Sequence, residues 1–139
     1  ERVTVRERLD VTVGARYDTP IGRDPNDRKR MSGRARRGRT ALTDVVDVEP
    51  FKSVSLVRLV IGTGRTHQIR VHLAEAGHPL AGDALYGGVR KRLPTHLAAL
   101  ASLERPFLHA ARLAFTQPVT GKTIDVGAPL PADLERVLT

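Results

Sequence analysis

The 139-residue chain contains no cysteine, no tryptophan and a single methionine. With no thiol available, a disulfide framework, a thiolate zinc site and a cysteine nucleophile are all excluded. The chain therefore needs no oxidising compartment, which fits a cytoplasmic location. Aromatic residues make up 4% of the sequence: Tyr17, Phe51, Tyr86, Phe107 and Phe115. Five scattered rings do not supply the successive stacking platforms of a sequence-tolerant single-strand binder. No apolar run approaches the roughly 18 residues of a membrane span. The opening Glu-Arg-Val-Thr-Val lacks the apolar stretch of a signal peptide. It also lacks an initiating Met, so the chain is expected to be part of something longer. What remains is 40% apolar, enough for a globular domain with a real core.

Positive charge is the feature present in excess. The net charge is +8, and the sequence pI is about 11.0. The excess is local. Between residues 23 and 39 lie Arg23, Arg28, Lys29, Arg30, Arg34, Arg36, Arg37 and Arg39, opposed only by Asp24 and Asp27. Gly22, Pro25, Asn26, Ser32, Gly33 and Gly38 punctuate the segment, and it holds almost nothing apolar, so residues 20–40 read as an exposed, mobile basic loop. Arginine dominates it, and a guanidinium forks onto phosphate oxygens where an ammonium acts as a point charge. A polyanion is the expected partner, and the scarcity of rings favours a folded RNA read by shape and backbone. A membrane surface is not expected, because the stretch has no amphipathic helix.

Hydrophobic spacing predicts one or two strands over residues 1–17, a strand over 41–49 and a clear β-branched strand over 53–61. Gly62 and Gly64 end that strand. Thr66 is expected to cap a helix carrying Ile69, Leu73 and Ala76, with Gly77 closing it. A second short helix is expected from Pro94 or Thr95, a hairpin around Pro118–Gly121, and a terminal helix over 131–139 opened by Pro131. Strands interrupted by short helices imply an α+β fold, with a largely antiparallel mixed sheet flanked by short helices.

The segment Gly62-Thr-Gly-Arg-Thr-His-Gln-Ile-Arg-Val-His-Leu73 carries the most chemistry. It sets Arg65, Thr66, His67, Gln68 and Arg70 around the start of a helix, where free N–H groups attract anions. Arg70 lies between Ile69 and Val71 and is expected to be part-buried, so it needs a carboxylate or phosphate partner. A scaffold ion pair would satisfy it equally well. No metal site is expected, because His67 and His72 are five residues apart and do not share a helix face. The Gly-Thr-Gly-Arg-Thr run lacks the ending of a phosphate-binding loop, and no serine has a nucleophile-elbow context.

These residues resemble a known family. Residues 62–74, Gly77-His-Pro-Leu-Ala-Gly-Asp83 and Leu85-Tyr-Gly87 are similar to motifs of the RluA/RluD-type RNA pseudouridine synthases. Pro20–Pro25, Asp27–Met31, Leu108–Leu113 and Pro129–Pro131 agree in order and spacing. The likeness runs over about residues 20–131, with a family-matching core at 41–131, and leaves a strand segment at 1–18 unassigned. It implies isomerisation of uridine to pseudouridine in structured RNA without cofactor or metal. Ribosomal RNA of the large subunit is favoured as substrate, and transfer RNA is possible. It implies that Arg70 pairs with the family's catalytic Asp, and that Arg65, Thr66, His67 and Gln68 with the basic loop face RNA. That Asp belongs to a His-Arg-Leu-Asp…Thr-Ser-Gly element absent here, and Arg8-Leu9-Asp10 is read as a chance likeness. Residues 1–139 are thus expected to be the C-terminal portion of one catalytic domain, inactive without its N-terminal remainder. The alternative is a non-catalytic RNA-binding module that keeps the same RNA-facing surface.

Overall fold

A computed structural model describes residues 2–6, 12–51, 54–89, 92–93 and 95–139. The central sheet has five strands: β1 (Arg2–Arg6), β2 (Arg16–Tyr17), β5 (Thr43–Phe51), β6 (Val54–Ile61) and β7 (Leu108–His109). Their order across the sheet is β2-β5-β6-β1-β7, and every neighbouring pair is antiparallel. Two small antiparallel pairs stand beside it. One joins β3 (Gly22–Arg23) to β4 (Met31–Ser32), and the other joins β8 (Arg112–Thr116) to β9 (Thr123–Gly127). Among the described residues three helices accompany the sheets: α1 (Gln68–Glu75), α2 (Ala98–Ala101), preceded by a 3₁₀ turn at Thr95–Leu97, and α3 (Ala132–Leu138). The α+β architecture with a largely antiparallel sheet is the one the sequence predicts. Pro94, Ser53 and Asp10 lie outside the described residues. Among the described residues no helix is long and apolar enough to cross a membrane.

Strands β5 and β6 build the platform on which the site stands. Alternation on β6 buries Val57 and Leu59 on one face and leaves Arg58 and Val60 outside on the other, where Val54 at the start of the strand is buried in a separate cluster. On β5 the register shifts between Val45 and Asp47, which explains why Val45, Val46 and Val48 do not alternate strictly. Val45 is buried, Val46 is exposed, and Val48 packs against the core again.

Helix α1 lies across this platform and is enclosed on most sides. Ile69 and Leu73 join Val45, Val57, Leu59 and Leu80 in one core cluster. Val71 faces a second cluster with Ile21, Ala41 and Tyr86. The helix ends as Gly77 requires: Gly77 has φ 88°, its N–H donates to Ala74 O, and the His78 N–H donates to Leu73 O. That is a Schellman closure, which only glycine adopts without strain. A third cluster gathers Val54, Ala81, Leu97, Leu100, Phe107, Leu134 and Val137, docking α2 and α3. The Arg105 guanidinium grips Asp133 at the start of α3 through two bonds of 2.8 Å. That pairing, with the Leu134 N–H, holds the Asp133 carboxyl down at about 2. A lowered carboxylate pKa adds stability above the unfolded value near 3.9 and loses it as pH falls toward the folded value. The urea-midpoint difference between the wild type and Asp133→Asn is therefore expected to hold steady above about pH 4 and to shrink progressively toward pH 2.

The basic segment carries short antiparallel pairing that its composition does not suggest. Arg23 pairs with Met31 and Gly22 with Ser32, and Ile21 and Arg39 exchange backbone bonds of 2.9 and 2.8 Å that close the base. Two apolar residues suffice as anchors, because Ile21 is buried and Met31 packs beside it against Val71 of α1 and Tyr86. Asp24 and Asp27 are spent on turns. Asp24 Oδ1 accepts from the Asn26 and Asp27 N–H groups, and Asp27 Oδ1 accepts from Lys29 N–H. A side chain at Gly22 would place its Cβ 2.7 Å from Ala35 Cβ and 2.8 Å from the Arg37 carbonyl oxygen. Gly22→Ala is therefore expected to destabilise the fold by about 1–3 kcal/mol, read as a lower urea midpoint.

Candidate RNA-facing site

The start of α1 is held by a buried polar network. Gln68 is only 3% exposed. Its Nε2 donates to Leu42 O at 2.7 Å and Thr43 Oγ1 at 3.1 Å, and its Oε1 accepts from Thr63 Oγ1 and Arg65 N–H. His72, also buried, places Nε2 against Thr19 O and Nδ1 against Thr43 Oγ1, both at 2.8 Å. The carbonyl can only accept, so Nε2 carries the proton and Nδ1 accepts from the Thr43 hydroxyl. Gln68, expected to face RNA, is thus a bolt between helix and sheet with every polar atom satisfied. Arg65 is half-buried and donates through Nε to Thr40 O at 2.7 Å. Thr66 is exposed and does not cap the helix. That position falls to His67, whose φ of 55° is the one positive value outside glycine among the described residues.

Arg70 has its carboxylate, and that acid lies within this chain. Its Nε donates to Asp83 Oδ2 at 2.7 Å and its Nη2 to Asp83 Oδ1 at 2.8 Å. The Asp83 side chain is fully buried and that of Arg70 is 18% exposed. The expectation that Arg70 waits for an acid from outside the chain is corrected to this extent: its primary partner is the Asp of the Gly82-Asp83 motif. Sequence reasoning quoted that motif without assigning the pair. Thirteen residues and an irregular loop separate the two partners, and no spacing rule joins them. The pair occupies two of the five guanidinium N–H groups and leaves three.

Tyr86 sits beside this pair and was also missed. Its ring lies under the Arg70 guanidinium at 4.9 Å and the Arg30 guanidinium at 5.2 Å. Its hydroxyl accepts from Met31 N–H at 2.9 Å and is hydrogen-bonded to His67 Nδ1 at 2.7 Å. Its own N–H reaches Asp83 Oδ1 at 3.4 Å. Burial lowers the His67 pKa from its usual value, the Arg70 charge lowers it further, and Asp83 works against both. His67 therefore stays neutral where a free imidazole begins to charge. His67, His72 and His78 do not converge: the first bonds Tyr86, and the second bonds Thr43 and Thr19.

The hairpin carries its charge uncompensated. Elsewhere Arg16, Arg70, Arg105 and Arg112 each pair side-on with a carboxylate. Among the described residues none of Arg23, Arg28, Lys29, Arg30, Arg34, Arg36, Arg37 and Arg39 forms such an ion pair. Arg23 instead donates to Arg28 O, and the Arg30 Nε is buried without a hydrogen-bond partner. Between the limbs of the hairpin lies an open groove of about 450 Å³, lined by Arg23, Asp24, Pro25, Ala35, Arg36 and Arg37. Glu75 of α1 holds the hairpin, accepting from Gly33 N–H at 2.9 Å.

A cationic hairpin fastened to a helix that carries a buried Arg–Asp pair defines an α+β domain with a strongly cationic surface. The family model described as RNA pseudouridylate synthase matches residues 2–75, and the chain belongs to that family. The match begins within the 1–18 segment that the motif likeness leaves unassigned. The chain is 43% identical over 131 residues to the ribosomal large subunit pseudouridine synthase D of Neisseria meningitidis. That alignment covers 93% of this chain and 35% of the relative. The protein of that name from Xanthomonas campestris is 42% identical, with 96% and 43% covered. Among solved structures, the human RNA pseudouridylate synthase domain containing 1 superposes with a TM-score of 0.72 at 29% identity. It covers 92% of this chain and 52% of that one. The chain thus spans well under half the length of these curated relatives.

Proposed function

We propose that this chain supplies the Arg-bearing half of the active site, and the RNA-binding surface, of an enzyme that isomerises uridine to pseudouridine in large-subunit ribosomal RNA. The observation that carries this reading is the junction of an unpaired cationic hairpin with the Arg70–Asp83 pair. The hairpin supplies phosphate contacts, which position a folded RNA without reading its sequence. The reaction breaks the N1 glycosidic bond and rejoins the uracil through C5, by the action of a catalytic Asp that this chain lacks. Asp83 sets the orientation of the Arg70 guanidinium, whose three remaining N–H groups are free to receive that acid. An acid received there stays ionised and oriented. Neither cofactor nor metal takes part. The work is that of a cytoplasmic RNA modifier, and transfer RNA is the other candidate substrate.

The remainder of the catalytic domain is read as the partner of hairpin β8–β9. The pairs Leu113–Val126 and Phe115–Ile124 share one face of this two-stranded ribbon, and Leu113, Phe115 and Val126 are exposed there. An isolated two-stranded ribbon is marginal in water, and an apolar face of this kind seeks a cover.

A second reading is favoured by one observation. Arg70 is already charge-paired within the chain, which also suits a non-catalytic RNA-binding module. Tritium release from C5-labelled uridine in a ribosomal RNA transcript separates the two. The complete gene product is expected to release tritium and the 139-residue chain to release none. Release by the 139 residues alone would overturn the missing-acid reading. Tight, salt-sensitive binding by the complete product without release would establish the module.

A further inference from the structure

We infer that Tyr86 is a positioning residue that locks the basic hairpin and the Arg70–Asp83 pair into one mutual arrangement, so that RNA held by the hairpin meets Arg70 in register. The inference rests on the RNA-facing reading above and assigns a residue that reading does not use.

Four contacts converge on Tyr86. Its hydroxyl receives Met31 N–H from β4 and bonds His67 at the mouth of α1. Its ring supports the guanidinium of Arg30 from the hairpin and that of Arg70 from the helix. Its backbone N–H also approaches the carboxylate that orients Arg70. The residue is 7% exposed, so it offers RNA little surface and acts through these neighbours. Two further features show that the junction is held tightly. His67 keeps a left-handed backbone beside the hydroxyl, a conformation that persists only where its surroundings over-determine it. Arg30 keeps a buried Nε with no acceptor while its guanidinium stays on the ring. The hydroxyl ties the hairpin to the start of α1, and the ring supports Arg30 and Arg70 together.

The test uses the complete gene product with a C5-tritiated large-subunit ribosomal RNA transcript. Tyr86→Phe keeps the ring and deletes both hydroxyl bonds. It is expected to raise Kd and KM about five- to tenfold, with the larger share of the loss in KM and not in kcat. Tyr86→Leu also removes the ring and is expected to lower kcat by about a further tenfold. If that variant fails to fold, Tyr86→Phe carries the test. Val137→Ala, in a separate core cluster, supplies a loss of melting temperature that should leave Kd unchanged. An unaltered Kd for Tyr86→Phe would overturn the inference. Binding without tritium release by the wild type would remove the enzymatic reading and leave the coupling to be judged on Kd. No binding by the wild type would remove both.

Discussion

Arg70→Ala is expected to cost about 3–5 kcal/mol of folding stability, more than any other single arginine replacement in the chain. The reason lies in its partner. Asp83 is fully buried, and its carboxylate takes both of its short charge-assisted bonds from this one guanidinium. Removing Arg70 leaves an ionised group in a water-poor site with no counter-charge. The group must then take up a proton or draw in water, and each outcome is costly. Arg70→Lys should recover little, because an ammonium cannot serve both carboxylate oxygens in the same plane. Asp83→Asn is expected to be milder, about 1–3 kcal/mol, because an amide oxygen still accepts one of the two bonds. Arg112 makes the informative comparison. It too grips a carboxylate through two nitrogens, on Asp125, but both side chains stand largely in water, so Arg112→Ala should scarcely move the urea midpoint. A loss below about 1 kcal/mol for Arg70→Ala in urea denaturation would mean that the pair does not carry the weight its burial implies.

Replacing Arg34, Arg36 and Arg37 together by glutamine is expected to weaken RNA binding on the order of a hundredfold at moderate salt. The plot of log Kd against log salt should flatten by about two to three units, since each phosphate neutralised by an arginine adds roughly 0.7–0.9 to the slope. All three side chains are exposed on the hairpin, and none is paired with a carboxylate among the described residues. Their removal therefore relieves like-charge repulsion and breaks no ion pair, so the urea midpoint should hold or rise. The two measurements together separate an interface from a scaffold. A triple variant with wild-type salt dependence would show that the charge serves no polyanion.

Parts of the molecule were legible in the primary structure because they are local. Strand β6 announces itself through Val57 and Leu59 on one face and Val54 and Leu56 on the other, and a two-residue period needs no information from the rest of the chain. Helix α1 is legible through Ile69, Leu73 and the closing Gly77, and the hairpin of β8 and β9 through its Gly121 turn. Much of the site was not. Thr66 looks like a helix cap by type and position, but the chain enters α1 with His67 in a left-handed conformation. Gln68 looks like a recognition residue by chemistry, but helix α1 is enclosed on both sides and turns it inward, where backbone and hydroxyl groups consume its bonds. The segment around Arg30 has the glycine and charge content of a mobile loop. Ile21 and Met31 nevertheless anchor it, with Tyr86 and Glu75 supplying bonds from more than forty residues away.

By itself the sequence determined the α+β class, the surplus of arginine, and the need of Arg70 for an anionic partner. Each follows from the content and period of short windows, which are properties of covalent order. Only the tertiary structure decided that the acid is Asp83, that the cationic segment is a fastened hairpin, and that Tyr86 joins the two. Those outcomes depend on which distant groups come to share a dry space, where an unpaired donor or charge cannot be left.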